Sequence, residues 1–463
     1  MPEVFADLVG QPEAVDLLRR AAAAAETIRA AAVDVAKTVQ VTDVAETVSA
    51  EAVSAGVAKA VSADGTGGVD APAGGVDAPA GGVDAPAGGA DRAGGTPDPA
   101  GAGSAMTHAW IFTGPPGSGR SVAARAFAAA LQCLRGTGCG ECTGCHTTLA
   151  GTHADVRFVV PEGLSIGVGE MRTLVLRAAS TPSGGRWQVL VIEDADRLTE
   201  AAGNALLKAI EEPPPRTVFL LCTPSTHPDD ISVTIRSRCR VVTLRQPPAE
   251  AVAAVLRDRD GIAPDVAAWA AAAAQGHVGR ARRLARDPEA RKRREAVLAL
   301  PRKLTGVGAC FDAASALIEA AEAEAAAAVV EADAAERAAL ETALGAGGTG
   351  RGAAGAIRGA AGQLKDLERR QKSRATRAQR DALDRALVDL AGFYRDVLTI
   401  SLRAPVEPVH TDVAGTARSA AGKWTAEGTL RRLEAVLGCR TAIETNVKPR
   451  IAVEAMMLAL WRG

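Results

Sequence analysis

From Ala109 to Leu244 the apolar residues fall in short unbroken runs, separated by stretches where they recur every three or four positions. The runs Ala109–Thr113, Val156–Val160, Trp187–Asp196, Thr217–Thr223 and Val241–Leu244 read as buried strands. Helical spacing between them covers Val122–Gln132 and Gly169–Ala179. TEAAGNALLKAIEEPPP reads as an amphipathic helix that Thr199 caps and Pro213–Pro215 stop. Strands alternating with helices predict a parallel α/β sheet. Past Pro247 the pattern is helical throughout, which predicts separate all-α domains. The stretch from Lys365 to Leu398 reads as one or two long helices, and the first 25 residues as a helical entry with a turn at Val9–Pro12.

Two stretches break the pattern. Residues 26–104 pass from Ala/Val/Glu-rich sequence into GGVDAPA, which occurs three times at a period of seven (Val69, Val76, Val83). A heptad period can mark a coiled coil, but a Gly-Gly pair and a proline in every repeat exclude a helix. Composition makes this a flexible insert. A second low-complexity insert lies at about residues 320–362.

Composition narrows the function. The chain has 463 residues and a formal net charge of -1, with 53 Lys and Arg against 54 Asp and Glu. That excludes a uniformly basic nucleic-acid coat and leaves room for a local patch. The N-terminus shows no secretory pattern, and no run reaches the ~18 apolar residues of a spanning helix, so a cytoplasmic protein is expected. Its eight cysteines then read as metal ligands or free thiols rather than disulfides.

Three motifs carry chemistry. GPPGSGRS meets the phosphate-loop pattern G-x-x-x-x-G-K-S/T at Gly114, Gly119 and Ser121, with Gly117 inside it, but Arg120 stands in place of the lysine. Such a loop turns backbone N–H groups toward phosphate at a helix N-terminus, and a planar arginine does not replace a compact ammonium there. At the end of the VLVIEDAD run the acids come as Glu193-Asp194. Working ATPases of this kind place the metal-binding Asp first and the water-polarising Glu second. The inverted order crowds the metal and leaves the shorter acid about 1.5 Å short of the water. Cys133, Cys139, Cys142 and Cys145 are spaced C-x5-C-x2-C-x2-C, which fits a tetrahedral structural zinc. A redox pair, an iron–sulfur cluster and a haem attachment at Cys142–His146 each fit part of the spacing. The remaining cysteines read as small buried apolar residues. Arg238, in Ser237-Arg238-Cys239, precedes the last strand and reads by itself as a surface residue.

Taken together, VGQPEAVDLLRRA, HAWIFTGPPGSGRS, the cysteine cluster, NALLKAIEEPPP, TIRSRCR and QGHVGRARRLA resemble the clamp-loader subunits of bacterial DNA polymerase III, of the AAA+ class, and the delta-prime subunit of actinobacterial type in particular. The resemblance covers nearly all of the chain outside residues 26–104 and the second insert. It implies a RecA-like AAA+ core with a parallel sheet over residues 1–25 and 105–246, containing a zinc module at 133–145. A small helical lid over 247–300 and an all-α collar over 301–463 follow. It also implies the partners: clamp-loader motor subunits, the clamp-opening delta subunit, the sliding clamp, and primed DNA reached through the assembled complex. Delta-prime subunits typically lack a working ATP site and offer the SRC arginine, here Arg238, to a neighbour's ATP. The first cysteine gap is five residues where eight is commoner in that family, so Cys133 is the ligand that departs from the pattern. Arg280 stands near the position of a second sensor arginine. The competing expectations are a motor-type ATPase using Arg120, Ser121, Glu193 and Asp194, and a free-standing zinc and nucleic-acid binding protein. The latter has no basic, aromatic-rich face to offer.

Overall fold

The computed structural model describes residues 3–31, 105–161, 163–184, 186–343 and 353–463, with backbone alone at 353–361. Most of the GGVDAPA insert, from residue 32 to residue 104, therefore lies outside the described residues, as does the stretch 344–352. The described residues fall in two units, residues 20–31 with 105–106 in one and the rest in another that carries the features below.

Helix α1 (12–31) opens the chain, and its first turns belong to the larger unit. Five strands follow: β1 Ala109–Thr113, β2 Val156–Val159, β3 Gln188–Ile192, β4 Thr217–Thr223 and β5 Arg240–Thr243. They make one parallel sheet in the order β2-β3-β4-β1-β5. Ile111 pairs with Leu221 on one side and Val241 on the other, and Leu190 pairs with Phe219. Every residue of β1, β3 and β4 is buried, as parallel strands covered on both faces require. The covering helices are α2 (Arg120–Leu131), α3 (Thr143–Leu149), α4 (Val168–Ala178), α5 (Glu200–Glu211) and the single turn α6 (Val233–Arg236). Thr199 caps α5 as its sequence predicts, accepting from the Ala202 N–H at 3.3 Å. Phe127 seats α2 on the sheet, edge-on to Trp110 with ring centroids 5.1 Å apart.

After Thr243 the described chain holds no further strand. Helices α7 (Ala249–Asp258), α8 (Pro264–Ala273) and α9 (Val278–Arg286) pack around Val252, Leu256, Ala270 and Leu284 as a small lid. Helix α10 (Pro288–Lys303) crosses into an all-α collar of α11 (Val307–Ala343), α12 (Ala353–Ser401), α13 (Ala414–Ala421), α14 (Ala426–Glu444) and α15 (Pro449–Arg462). Leu387, Phe393, Tyr394, Val397, Val453 and Met457 are fully or almost fully buried at its centre. The architecture is a five-stranded parallel α/β core followed by a helical lid and a helical collar.

Two local expectations change. Low complexity at 320–362 suggests an interruption, yet α11 runs through to Ala343 and α12 is already helical at Ala353. Alanine-rich sequence costs a helix nothing. Ion pairs join the two arms, Arg374 with Asp333 at 2.8 Å and Arg385 with Glu324 at 2.6 Å. The Trp187–Asp196 run is strand only to Ile192. Asp194 takes a left-handed φ of 54°, and a 3-10 turn follows at Ala195–Arg197.

Candidate functional site

The phosphate loop leaves the C-terminal end of β1, between β4 and β5, where chain direction across the sheet diverges. That is where open parallel sheets bind ligands. Gln11, almost fully buried, fixes the loop from the side: its amide contacts the carbonyls of Ser118 and Arg245 and accepts from the Arg245 N–H at 3.1 Å. This explains the glutamine of VGQP better than a turn alone does. The lid comes down onto the loop. A Cβ at Gly117 would lie 2.9 Å from both Cα and Cβ of His277, and Gly117 has φ +87°. Only glycine allows this approach. Burial, with Arg280 nearby, holds the His277 imidazole below its ordinary pKa and therefore neutral. Its Nδ1 accepts from the Arg280 N–H at 3.3 Å and caps α9.

A cavity of about 340 Å³ lies between loop and lid. Its walls include Leu8, Val9, Arg120, Ser121, Val255 and Val278, and among the described residues lining it are neither Glu193 nor Asp194. Arg120 is turned inward, its Nη1 donating to the Gly114 carbonyl at 2.8 Å. The arginine thus closes the loop on itself.

Both acids are held by arginines. Glu193 Oε1 lies 3.5 Å from Nη2 of Arg125 on α2, whose guanidinium stacks 4.1 Å from the Phe158 ring centroid. Asp194 pairs with Arg377 of the collar helix α12, and Arg377 Nη1 also donates to the Pro161 carbonyl at 2.5 Å. The collar therefore grips the core at the end of β3. Burial, then the neighbouring Asp194 carboxylate, pushes Asp196 above the usual carboxylate range, and its buried Oδ1 has no hydrogen-bond partner. Arg280 points away from the loop cavity and pairs with Asp389 of α12. Burial pushes Asp389 up against the pull of Arg280 and Arg294. Arg280 thus joins lid to collar.

Arg238 is the opposite case. It closes α6 at the surface with its side chain 39% exposed. Its Nη1 donates to the Thr234 carbonyl at 3.0 Å and lies 3.2 Å from Ser237 Oγ, while its Nη2 stands 2.8 Å from Glu211 Oε1.

The four cysteine sulfurs lie within 4.8 Å of one another. Sulfurs 2.3 Å from a shared tetrahedral ion stand about 3.8 Å apart. Cys133 Sγ is 3.7 Å from Cys139 Sγ and 4.0 Å from Cys142 Sγ. The short first gap therefore does not displace Cys133. Backbone N–H groups of Cys139, Leu134 and Cys142 approach the sulfurs of Cys133, Cys142 and Cys139 at 3.3–3.4 Å. Burial alone would raise the Cys133 thiol, but amide donors led by Cys139 outweigh it and lower the pKa to about 6. Cys142 is lowered as well, whereas burial raises Cys145. Four convergent sulfurs under N–H donors suit a thiolate-bound metal ion. A two-cysteine redox or haem motif leaves the convergence of Cys133 and Cys139 unexplained. Gly144 sets the cluster against α2: a Cβ there would lie 2.1 Å from the Gln132 carbonyl oxygen.

Sequence reasoning missed Arg125, Glu211, His277 and Arg377. Glu211 was visible in AIEEPPP and Arg377 in RRQKSRATRAQR, but no local spacing announces their partners.

This constellation is an α/β core whose phosphate-loop-like turn and acids are engaged internally. Residues 101–248 match the family described as DNA polymerase III, delta subunit. The chain is 37% identical over 148 residues to the DNA polymerase III subunit delta' of Escherichia coli (strain K12), covering 31% of this chain and 44% of that protein. It is 33% identical over 171 residues to the DNA polymerase III subunit gamma/tau of Mycobacterium tuberculosis (strain ATCC 25618 / H37Rv), covering 35% of this chain and 29% of that protein. A solved DNA polymerase III gamma subunit-related protein from Thermotoga maritima aligns over 76% of this chain and 94% of its own, at 15% identity and a TM-score of 0.33. The chain spans less than half the length of these two curated relatives. No helix among the described residues is long and apolar enough to cross a membrane.

Proposed function

We propose that this chain is a non-hydrolysing, delta-prime-type subunit of a DNA polymerase III clamp loader. In this role it helps set the sliding clamp on primed DNA, beside the motor subunits and the clamp-opening delta subunit. It contributes Arg238 to the ATP site of a neighbouring motor subunit, where a guanidinium stabilises charge on the transferred phosphoryl group. The contrast between two arginines carries the reading. Arg120, in the chain's own loop, turns one N–H onto the Gly114 carbonyl, while Arg238 stands half-exposed at the surface. The inverted acids support it too, because Glu193 and Asp194 face Arg125 and Arg377 instead of the loop cavity. In the same reading the four cysteines hold a structural zinc.

A second reading, an ATP-hydrolysing motor-type subunit, draws support from the gamma/tau relatives and from the 340 Å³ cavity beside the loop. Magnesium-dependent ATP turnover by the isolated chain separates the two. No turnover above a no-protein blank is expected, and sustained turnover removed by Ser121→Ala would establish the motor reading instead.

A further inference from the structure

The SRC loop and the NALLKAIEEPPP helix, more than twenty residues apart in sequence, are joined by an ion pair. Glu211, in the last turn of α5, places Oε1 2.8 Å from Nη2 of Arg238. We propose that Glu211 is a positioning residue for Arg238, holding its guanidinium ready for a neighbouring subunit's phosphate. The inference rests on the trans-arginine role proposed above.

A guanidinium has five N–H donors in a rigid fork. In Arg238, Nη1 donates to the Thr234 carbonyl and lies against Ser237 Oγ, and Nη2 is ion-paired with Glu211. None of these contacts is made by Nε. Three oxygens thus hold the Nη end of the fork and leave Nε–H to meet a phosphate oxygen. Thr234 and Ser237 belong to the same short turn as Arg238 and move with it. Glu211 is the anchor from another element, and α5 is itself fixed by the Thr199 cap and the buried Leu206 and Ile210. Without Glu211 the long side chain sweeps over several rotamers, and its ordering must be supplied when phosphate arrives. Ordering one such side chain corresponds to roughly a three- to tenfold effect on rate.

Glu211 does not touch the phosphate in this account, so its loss differs from loss of Arg238. The test uses the loader reconstituted with its own ring partners and carrying wild-type chain, Arg238→Ala, Glu211→Ala or Glu211→Gln. Steady-state ATP hydrolysis is measured, with ring assembly by gel filtration and the thermal midpoint of each free chain. Glu211→Ala should lower turnover at the one site Arg238 serves roughly three- to tenfold, read in the loader as roughly two-thirds to nine-tenths of the loss caused by Arg238→Ala, with KM within twofold. Glu211→Gln, which keeps an oxygen acceptor, should retain most of the rate, and assembly and thermal midpoint should stay at wild type. Unchanged kcat in Glu211→Ala, with Arg238→Ala strongly impaired, would overturn the positioning role and leave the trans arginine standing. A fall in kcat that tracks lost assembly would reduce Glu211 to a structural residue. If Arg238→Ala itself leaves the rate unchanged, the trans-arginine reading fails and this inference with it.

Discussion

Asp194→Asn isolates the contact by which the collar grips the core. Asp194 and Arg377 have side chains 28% and 18% exposed, so the pair lies between the surface and buried regimes. Unit charges ~3 Å apart attract by about 1.4 kcal/mol at a dielectric of 80 and about 5.5 kcal/mol at 20. Desolvation and side-chain ordering offset much of the larger figure, leaving a coupling of about 1–2 kcal/mol. The segment that opens when the pair breaks is the turn after β3, where the Arg197 N–H donates to the Asp194 carbonyl at 3.0 Å. Hydrogen exchange at that turn reads the opening free energy locally, without assuming that a chain with core, lid and collar unfolds in one step. Asp194→Asn and Arg377→Gln should each speed exchange over residues 193–199 by roughly 5- to 30-fold, and the double variant should add little to either. Changes below twofold in both single variants, or fully additive effects in the double, would refute the latch.

Three further outcomes follow from the same geometry. Freshly reduced protein should carry one zinc per chain by elemental analysis, and Cys133→Ser should lower that content as much as Cys142→Ser does; metal-free reduced protein would remove the cysteine assignment. His277 has its pKa below 6.5 in the fold, so below pH 6.5 the unfolded chain takes up a proton that the folded chain refuses, and stability falls with acidification. The thermal midpoint of His277→Gln should therefore decline less steeply than wild type between pH 7 and pH 5, and parallel curves would contradict a neutral buried imidazole. Arg120→Lys restores the loop consensus but leaves both acids on their arginines, so turnover by that variant should stay at the blank; appearance of turnover would show that the acids are not sequestered.

The sheet was legible because its strands are continuous apolar runs bounded by turn residues. Ala109–Thr113 and Thr217–Thr223 are strands over those residues. The acidic end of the third run misled, since Asp194 must turn left-handed to reach Arg377, and nothing in VIEDAD encodes an arginine 183 residues away. The one-turn helix α6 and the seven-residue α3 are too short to show a period. The cysteine cluster and the loop announce themselves by residue type and spacing. What engages the acids and Arg238 does not, because Arg125, Arg377 and Glu211 act through tertiary contacts on long side chains. Even Arg280, which the resemblance sets near a second sensor position, pairs with Asp389.

The central claim is that this chain's catalytic contribution lies in Arg238 and works in another subunit's site. The direct measurement is the ATP turnover of the reconstituted loader with Arg238→Ala in place of the wild-type chain, at matched assembly. An arginine supplied in trans to phosphoryl transfer is worth about 10³–10⁵ at the site it serves. Loader turnover should therefore fall by the share of that one site, with the ring intact. Turnover equal to wild type in an intact ring would contradict the account.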